Sequence, residues 1–253
     1  MTLIIQFLER EAVMQIEGTV ALVTGANRGI GKAFAEALLE RGASKVYAAV
    51  RDTSTVTDPR LVPVRLDVTD PDRIAAVAAE LDDVQLVVNN AGVGTIGFPL
   101  DATLDAARQA LETNLGLISM TQAFAPVLAG NGGGAFVNVL SVVSWVANPL
   151  LTTYAASKSA AWSYTNAARV QLGGQGTQVV GVHVGLVDTD LSAGIDRDKI
   201  PPADVATSAL DALEAGEREA IVDERSRMVK AGLSDDQRAL YPTIEQEFLA
   251  IAR

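Results

Sequence analysis

The stretch TVALVTGANRGIGKAFAEALLERG, residues 19–42, decides how this chain is read. It opens on β-branched and apolar residues, breaks at Gly25, and resumes with apolar residues at helical spacing until Gly42 stops it. A strand that turns through glycine straight into a helix lets the backbone approach a pyrophosphate. The helix N-terminus then offers free N–H groups and a partial positive charge. The spacing, Gly25-x-x-x-Gly29-x-Gly31, departs from the G-x-G-x-x-G dinucleotide fingerprint. A tight turn alone would account for one glycine triplet. The strand before it and the helix after it favour a dinucleotide site, with Asn27, Arg28 and Ile30 in the same turn.

The alternation repeats outward from this unit. Strand-like runs stand at KVYAAV (45–50), LVPVRLDV (61–68), VQLVVNNAG (84–92), GAFVNVLS (134–141) and TQVVGVHVG (177–185), with a short last run EAIVD at 219–223. Helical stretches lie at 71–83, 101–129 and 154–172, and GNGGG (130–134) reads as a turn into the next strand. Strands apolar on both faces and separated by helices imply a parallel sheet covered on both sides. The expectation is an α/β fold: a single Rossmann-type, doubly wound domain over 14–253, with a substrate loop at roughly 190–215.

Composition narrows the function classes. The 253 residues are 49% hydrophobic and 20% charged, enough for a large core. The formal net charge of −11 disfavours nucleic acid and anionic membrane surfaces as partners. No cysteine is present, which rules out disulfides and thiolate metal sites, and the single His183 excludes multi-histidine metal sites. No metal site is expected, and His183 reads as a packed residue late in a buried strand. No apolar run approaches the ~20 residues of a membrane span. The start, MTLIIQFLEREAV, is interrupted by Glu9, Arg10 and Glu11 and does not make a signal peptide. Residues 1–13 read as an extension, with Met14 an alternative start. A cytoplasmic protein is the default expectation.

The end of the second strand addresses which dinucleotide. An acidic residue there holds a free ribose hydroxyl, whereas arginine suits a 2′-phosphate. Here Val50 stands at the acidic position and Arg51 follows, with Arg28 in the glycine turn as a second guanidinium. That points to NADP(H). Asp52, turned inward, would favour NAD(H) instead.

Tyr154 and Lys158 in YAASK are i and i+4 on one helical stretch and share a face. Ser141 ends the strand GAFVNVLS, and Asn114 lies in QALETNLGLI. With TGANRGIG, DV at 67–68 and NNAG at 89–92, this set in this order resembles the short-chain dehydrogenase/reductase family from about Met14 to Leu191. A nearby ammonium favours phenolate, so Lys158 is expected to lower the Tyr154 pKa and fit it for proton exchange with a carbonyl or alcohol oxygen. Ser141 would orient that oxygen. The resemblance implies that Lys158 also grips the nicotinamide ribose, and that Asn114 holds a water linking Lys158 to solvent. It places Asp67 and Val68 by the adenine, and Asn90, Ala91 and Gly92 by the adenosine ribose. In VGLVDTD it places Val187 and Thr189 by the nicotinamide carboxamide. Val184 stands where that family carries proline, which removes a φ constraint at the strand exit.

The substrate is expected to be a small, apolar carbonyl or alcohol, met by Ser141, Trp145, Leu150, Leu191 and Phe98. Stretches 101–129 and 154–172 resemble the dimer face of relatives, so a homodimer or homotetramer is expected; the C-terminal segment departs from the family's Gly-rich tail. Two other classes stay open. A non-catalytic dinucleotide-sensing regulator has no need of Ser141, Tyr154 and Lys158 together. A halohydrin-dehalogenase-like lyase would lose the nicotinamide-site glycines and carry arginine for Lys158.

Overall fold

The computed structural model describes residues 13–94 and 97–251. The expected extension over residues 1–12 lies outside the described residues. The chain alternates β1 (Val20–Thr24), α1 (Gly29–Glu40), β2 (Lys45–Val50), β3 (Val62–Arg65), α2 (Pro71–Glu80) and β4 (Leu86–Asn89). It continues through α3 (Leu104–Asn114), α4 (Gly116–Gly130), β5 (Gly134–Val139), α5 (Thr152–Gly173) and β6 (Thr177–His183). It closes with α6 (Pro202–Glu214), β7 (Glu219–Ile221), α7 (Glu224–Gly232), α8 (Asp236–Ala239) and α9 (Tyr241–Ile251). The seven strands pair in the order β3-β2-β1-β4-β5-β6-β7, all parallel. Strand order reverses between β1 and β4, which opens a crevice at their carboxyl ends.

Both faces of the sheet are apolar because both are covered. Val23, Val46, Ala48, Val88, Val137 and Val182 pack with Phe34 and Leu38 of α1 and Leu210 and Leu213 of α6. Their sequence neighbours Leu22, Tyr47, Ala49, Val87 and Phe136 turn the other way, onto Ile74 of α2, Phe124 and Leu128 of α4, and Leu172 of α5. The period-2 alternation of a strand thus yields two cores from runs that read as continuously hydrophobic.

Two expectations on element bounds change. The stretch 101–129 is two helices, broken at Leu115, which sits at φ −92°, ψ 1°. The break brings Gly116 against the Val68 backbone, where a Cβ would lie 2.7 Å from the Val68 carbonyl oxygen. The stretch 190–215 is loop and short helix only up to Pro201. From Pro202 it is α6, whose Val205, Ala206 and Ala209 are core residues.

Candidate active site

The glycine turn is shaped by what it must fit against. Gly25 and Gly29 take φ of +67° and +52°, where a side chain is strained. Gly31 has an ordinary φ, but a Cβ there would overlap the Gly25 carbonyl oxygen and the Asn90 amide. Asn90 donates from Nδ2 to the Thr24 carbonyl at 2.9 Å, and the Asn90 and Ala91 N–H groups both donate to Thr24 Oγ1 at 3.0 Å. The exits of β1 and β4 are therefore one rigid unit. The first turn of α1 has neither a side-chain cap nor an acidic residue. Its N–H groups and dipole end face the crevice uncompensated, as an anion site requires. Thr189 closes the far side, where a Cβ on Gly29 would meet its Cγ2 at 3.1 Å. Val187 is buried beside it, and half-buried Asn27 and Ile30 flank the turn. These features fit a nicotinamide dinucleotide.

Beyond the carboxyl ends of β2 and β3, a cavity of about 390 Å³ is lined by Arg51, Arg65, Asp67, Asp70 and Arg73. Asp67 accepts from the Thr69 N–H and hydroxyl, which hold its carboxyl below the usual range. Asp52 does not turn inward. It caps the short turn after β2 by accepting from the Ser54 N–H and hydroxyl, and it is exposed. Arg28 is bound elsewhere, 2.6 Å from Asp190 across the crevice mouth. Arg73 pairs with Glu80. Arg51 and Arg65 make no ion pair among the described residues. Arg65 was not legible as a site residue; it comes into place because β3 pairs with β2 in a register that sets it beside Val50.

The chemical end gathers Ser141, Tyr154 and Lys158. The Ser141 side chain lies near enough to the Tyr154 hydroxyl to favour its ionised form, while Ser141 Oγ donates to the Val184 carbonyl at 3.4 Å. Burial pushes the phenol up to about 12, and the Ser141 contact only partly offsets this. Lys158 is buried, and its Nζ donates to the Val139 carbonyl at 2.7 Å, 5.8 Å from the Tyr154 ring centroid. Burial pulls its ammonium down to about 8. Lys158 was expected from the sequence to lower the Tyr154 pKa; in the chain by itself burial raises it.

Asn114, buried at the end of α3, accepts from the Val93 N–H at 2.9 Å and donates to the Val93 carbonyl at 2.9 Å and Ser157 Oγ at 2.8 Å. Ser157 donates on to the Tyr154 carbonyl at 2.7 Å. Both amide protons of Asn114 are thus used inside the protein, and its first role here is to tie the loop after Gly92 to the tyrosine helix. Ser157 lies inside YAASK, where nothing in the sequence separates it from a filler residue.

The strand exit at Val184 does without proline. The Val184 carbonyl accepts from the Val142 N–H at 3.0 Å, and the Gly185 N–H donates to Asp223 Oδ2 at 2.8 Å. The same carboxylate accepts from the Ser226 N–H and caps α7. Among the substrate candidates, Leu191 packs over Gly94, where a Cβ would lie 2.8 Å from Leu191 Cδ1. The Leu150 carbonyl accepts from the Gly97 N–H, and Phe98 is half-buried nearby in sequence. Trp145, expected to face the substrate, is half-buried. Its ring stacks on His183 at 3.8 Å between centroids, with the Lys230 ammonium 4.7 Å from its centroid.

A family model for short chain dehydrogenases matches residues 19–200. The chain belongs to the short-chain dehydrogenase family. A short chain dehydrogenase of that family from Burkholderia cenocepacia J2315, solved in complex with NADP, is 41% identical. It superposes with a TM-score of 0.87 over 91% of this chain and 99% of that one. A 3-oxoacyl-(acyl-carrier-protein) reductase FabG from Vibrio harveyi is 31% identical over 196 residues, 74% of this chain and 80% of its own. A sorbitol dehydrogenase from Cereibacter sphaeroides is 34% identical over 194 residues, 72% of this chain and 76% of its own. The two names point to unlike substrates, an acyl ketone and a sugar alcohol, at similar identity. Among the described residues of this short-chain dehydrogenase, no helix is long and apolar enough to cross a membrane.

Proposed function

We propose that the protein is an NADP(H)-dependent oxidoreductase that interconverts a small, apolar ketone or aldehyde with its alcohol. The observation that carries this reading is the gathering of the Ser141 and Tyr154 side chains with buried Lys158, next to a glycine turn fitted to a dinucleotide. Support for the phosphorylated cofactor comes from Arg51 and Arg65 at the adenosine end, from Asp52 facing away, and from the NADP complex of the 41% identical relative. Bound NADP(H) supplies or accepts the hydride. Ser141 donates to the substrate oxygen and orients it. Tyr154, held as a neutral phenol by burial, gives that oxygen its proton during reduction. Lys158, charged at neutral pH one turn along the same helix as Tyr154, supplies positive charge as the phenol gives up its proton.

We take Trp145, Leu150, Leu191 and Phe98 as the substrate-facing side chains, and their apolar character supports aryl or alkyl carbonyls over sugars. Exposed Leu104 on α3 and Val170 on α5 support a homo-oligomer formed through these helices. The test is a panel of ketones and aldehydes with NADPH and NADH, read by loss of the reduced nicotinamide absorbance. Tyr154→Phe should lower turnover by about 10²–10⁴ with NADPH binding kept. Near-normal turnover in the folded variant would overturn the assignment.

A further inference from the structure

Behind Ser141 lies a set of ionisable and aromatic side chains that the proposed mechanism does not use. His183, the last residue of β6, has no exposed surface. Its Nδ1 is 3.3 Å from the carbonyl oxygen of Ser141. That oxygen can only accept, so Nδ1 carries a proton. On the other side of the ring, Nε2 faces Glu219 Oε1 of β7 at 3.6 Å, too long for a hydrogen bond, and has no partner among the described residues. Lys230 of α7 draws the Glu219 carboxylate away, with Nζ 2.7 Å from Oε2, and Arg169 of α5 adds its charge to the same carboxylate. The Trp145 indole stacks on the imidazole, 3.8 Å between centroids and 18° between planes.

A leucine or phenylalanine would fill this interior without leaving a ring nitrogen unpaired. The polar ring makes one hydrogen bond, and that bond goes to the backbone of the residue whose hydroxyl orients the substrate. We infer that His183 is a positioning residue for the Ser141–Trp145 segment: its Nδ1–H holds the Ser141 carbonyl and its ring face holds the Trp145 indole, with Glu219 and Lys230 bracing it from the C-terminal elements. One imidazole thereby bears on both the Ser141 backbone and the Trp145 side chain. The inference rests on the proposed role of Ser141.

The test uses the full chain and three variants: His183→Ala, His183→Asn and Tyr154→Phe. Asparagine places an amide N–H near the position of Nδ1. A misplacement of about 1 Å can cost about a hundredfold in rate, and losing one restraint should cost less, so turnover should fall about tenfold in His183→Ala. NADPH affinity should stay within about twofold, and His183→Asn should recover most of the turnover, a split that general loss of packing would not produce. Wild-type turnover in His183→Ala, or an asparagine variant no better than alanine, overturns the inference. Should Tyr154→Phe be as active as wild type, the proposed function falls instead. A second readout stands apart from activity and from the folding of the alanine variant. In a Trp162→Phe background, Trp145 is the only indole. Its emission should drop with acidification as the stacked imidazole becomes charged, with a midpoint below the usual histidine value of about 6.5 because the ring is buried. The drop should vanish in His183→Asn. Emission that does not respond to pH, or responds equally in His183→Asn, overturns the stacked contact and with it the inference.

Discussion

Lys158→Met tests whether the active site is held at a cost to the fold. The lysine is 5% exposed, and burial lowers its pKa from 10.5 to about 8. In the unfolded chain the amine is protonated up to its ordinary value, so between these two values the unfolded state binds more protons than the folded one. Stability therefore rises with pH across that window and is lowest, as far as this group decides, below it. At about 1.4 kcal/mol per pH unit, the buried ammonium costs about 3 kcal/mol near pH 7 and under about 1 kcal/mol near pH 10. Methionine has nearly the same length and carries no charge. It leaves the Val139 carbonyl without its donor, a loss of about 1–3 kcal/mol that does not depend on pH. The stability of Lys158→Met relative to wild type should thus fall by about 2–3 kcal/mol between about pH 7 and about pH 10. Urea unfolding of both proteins at the two pH values measures it, since other titrating groups are common to both. A relative stability that stays flat, or rises with pH, would show that the ammonium is not paying a burial penalty. Activity should be lost in the variant at either pH.

Three further outcomes follow from the site. Gly31→Ala should destabilise the chain by about 1–3 kcal/mol and weaken dinucleotide binding, since its methyl would overlap the Gly25 carbonyl and the Asn90 amide; melting and fluorescence titration with NADPH report both. Arg51→Ala should lower NADPH efficiency about ten- to hundredfold and leave NADH efficiency nearly unchanged, with a smaller drop in the same direction for Arg65→Ala; steady-state kinetics with both cofactors decide it. Asp223→Ala removes the cap of α7 and the anchor of Gly185 together, and should cost about 2–4 kcal/mol in urea unfolding, more than the ~1 kcal/mol of a cap alone.

The sheet, its crossovers and the glycine turn were legible in residues 19–42 and in the apolar runs after them, because strand and helix periods are local properties of the chain. YAASK, Ser141 and Asn114 were legible as residues, but their states were not. The elevated phenol of Tyr154 and the depressed ammonium of Lys158 come from desolvation, which depends on what the rest of the fold lays over them. The engagement of Asn114 by Val93 and Ser157 and the retreat of Arg28 to Asp190 likewise join positions far apart in sequence. Arg65 carries no motif and joins Arg51 at one cavity only through the register of β3 on β2. His183 was expected to be a packed strand residue, and it is one. That its one ring hydrogen bond ends on Ser141 was decided by a parallel pairing of β5 with β6, which sets the two chain exits side by side. Local pattern thus determined the elements and the reactive residue types. Long-range pairing and burial determined which of those residues touch and how much charge each can carry, because Coulomb and desolvation energies depend on neighbours in space rather than in sequence.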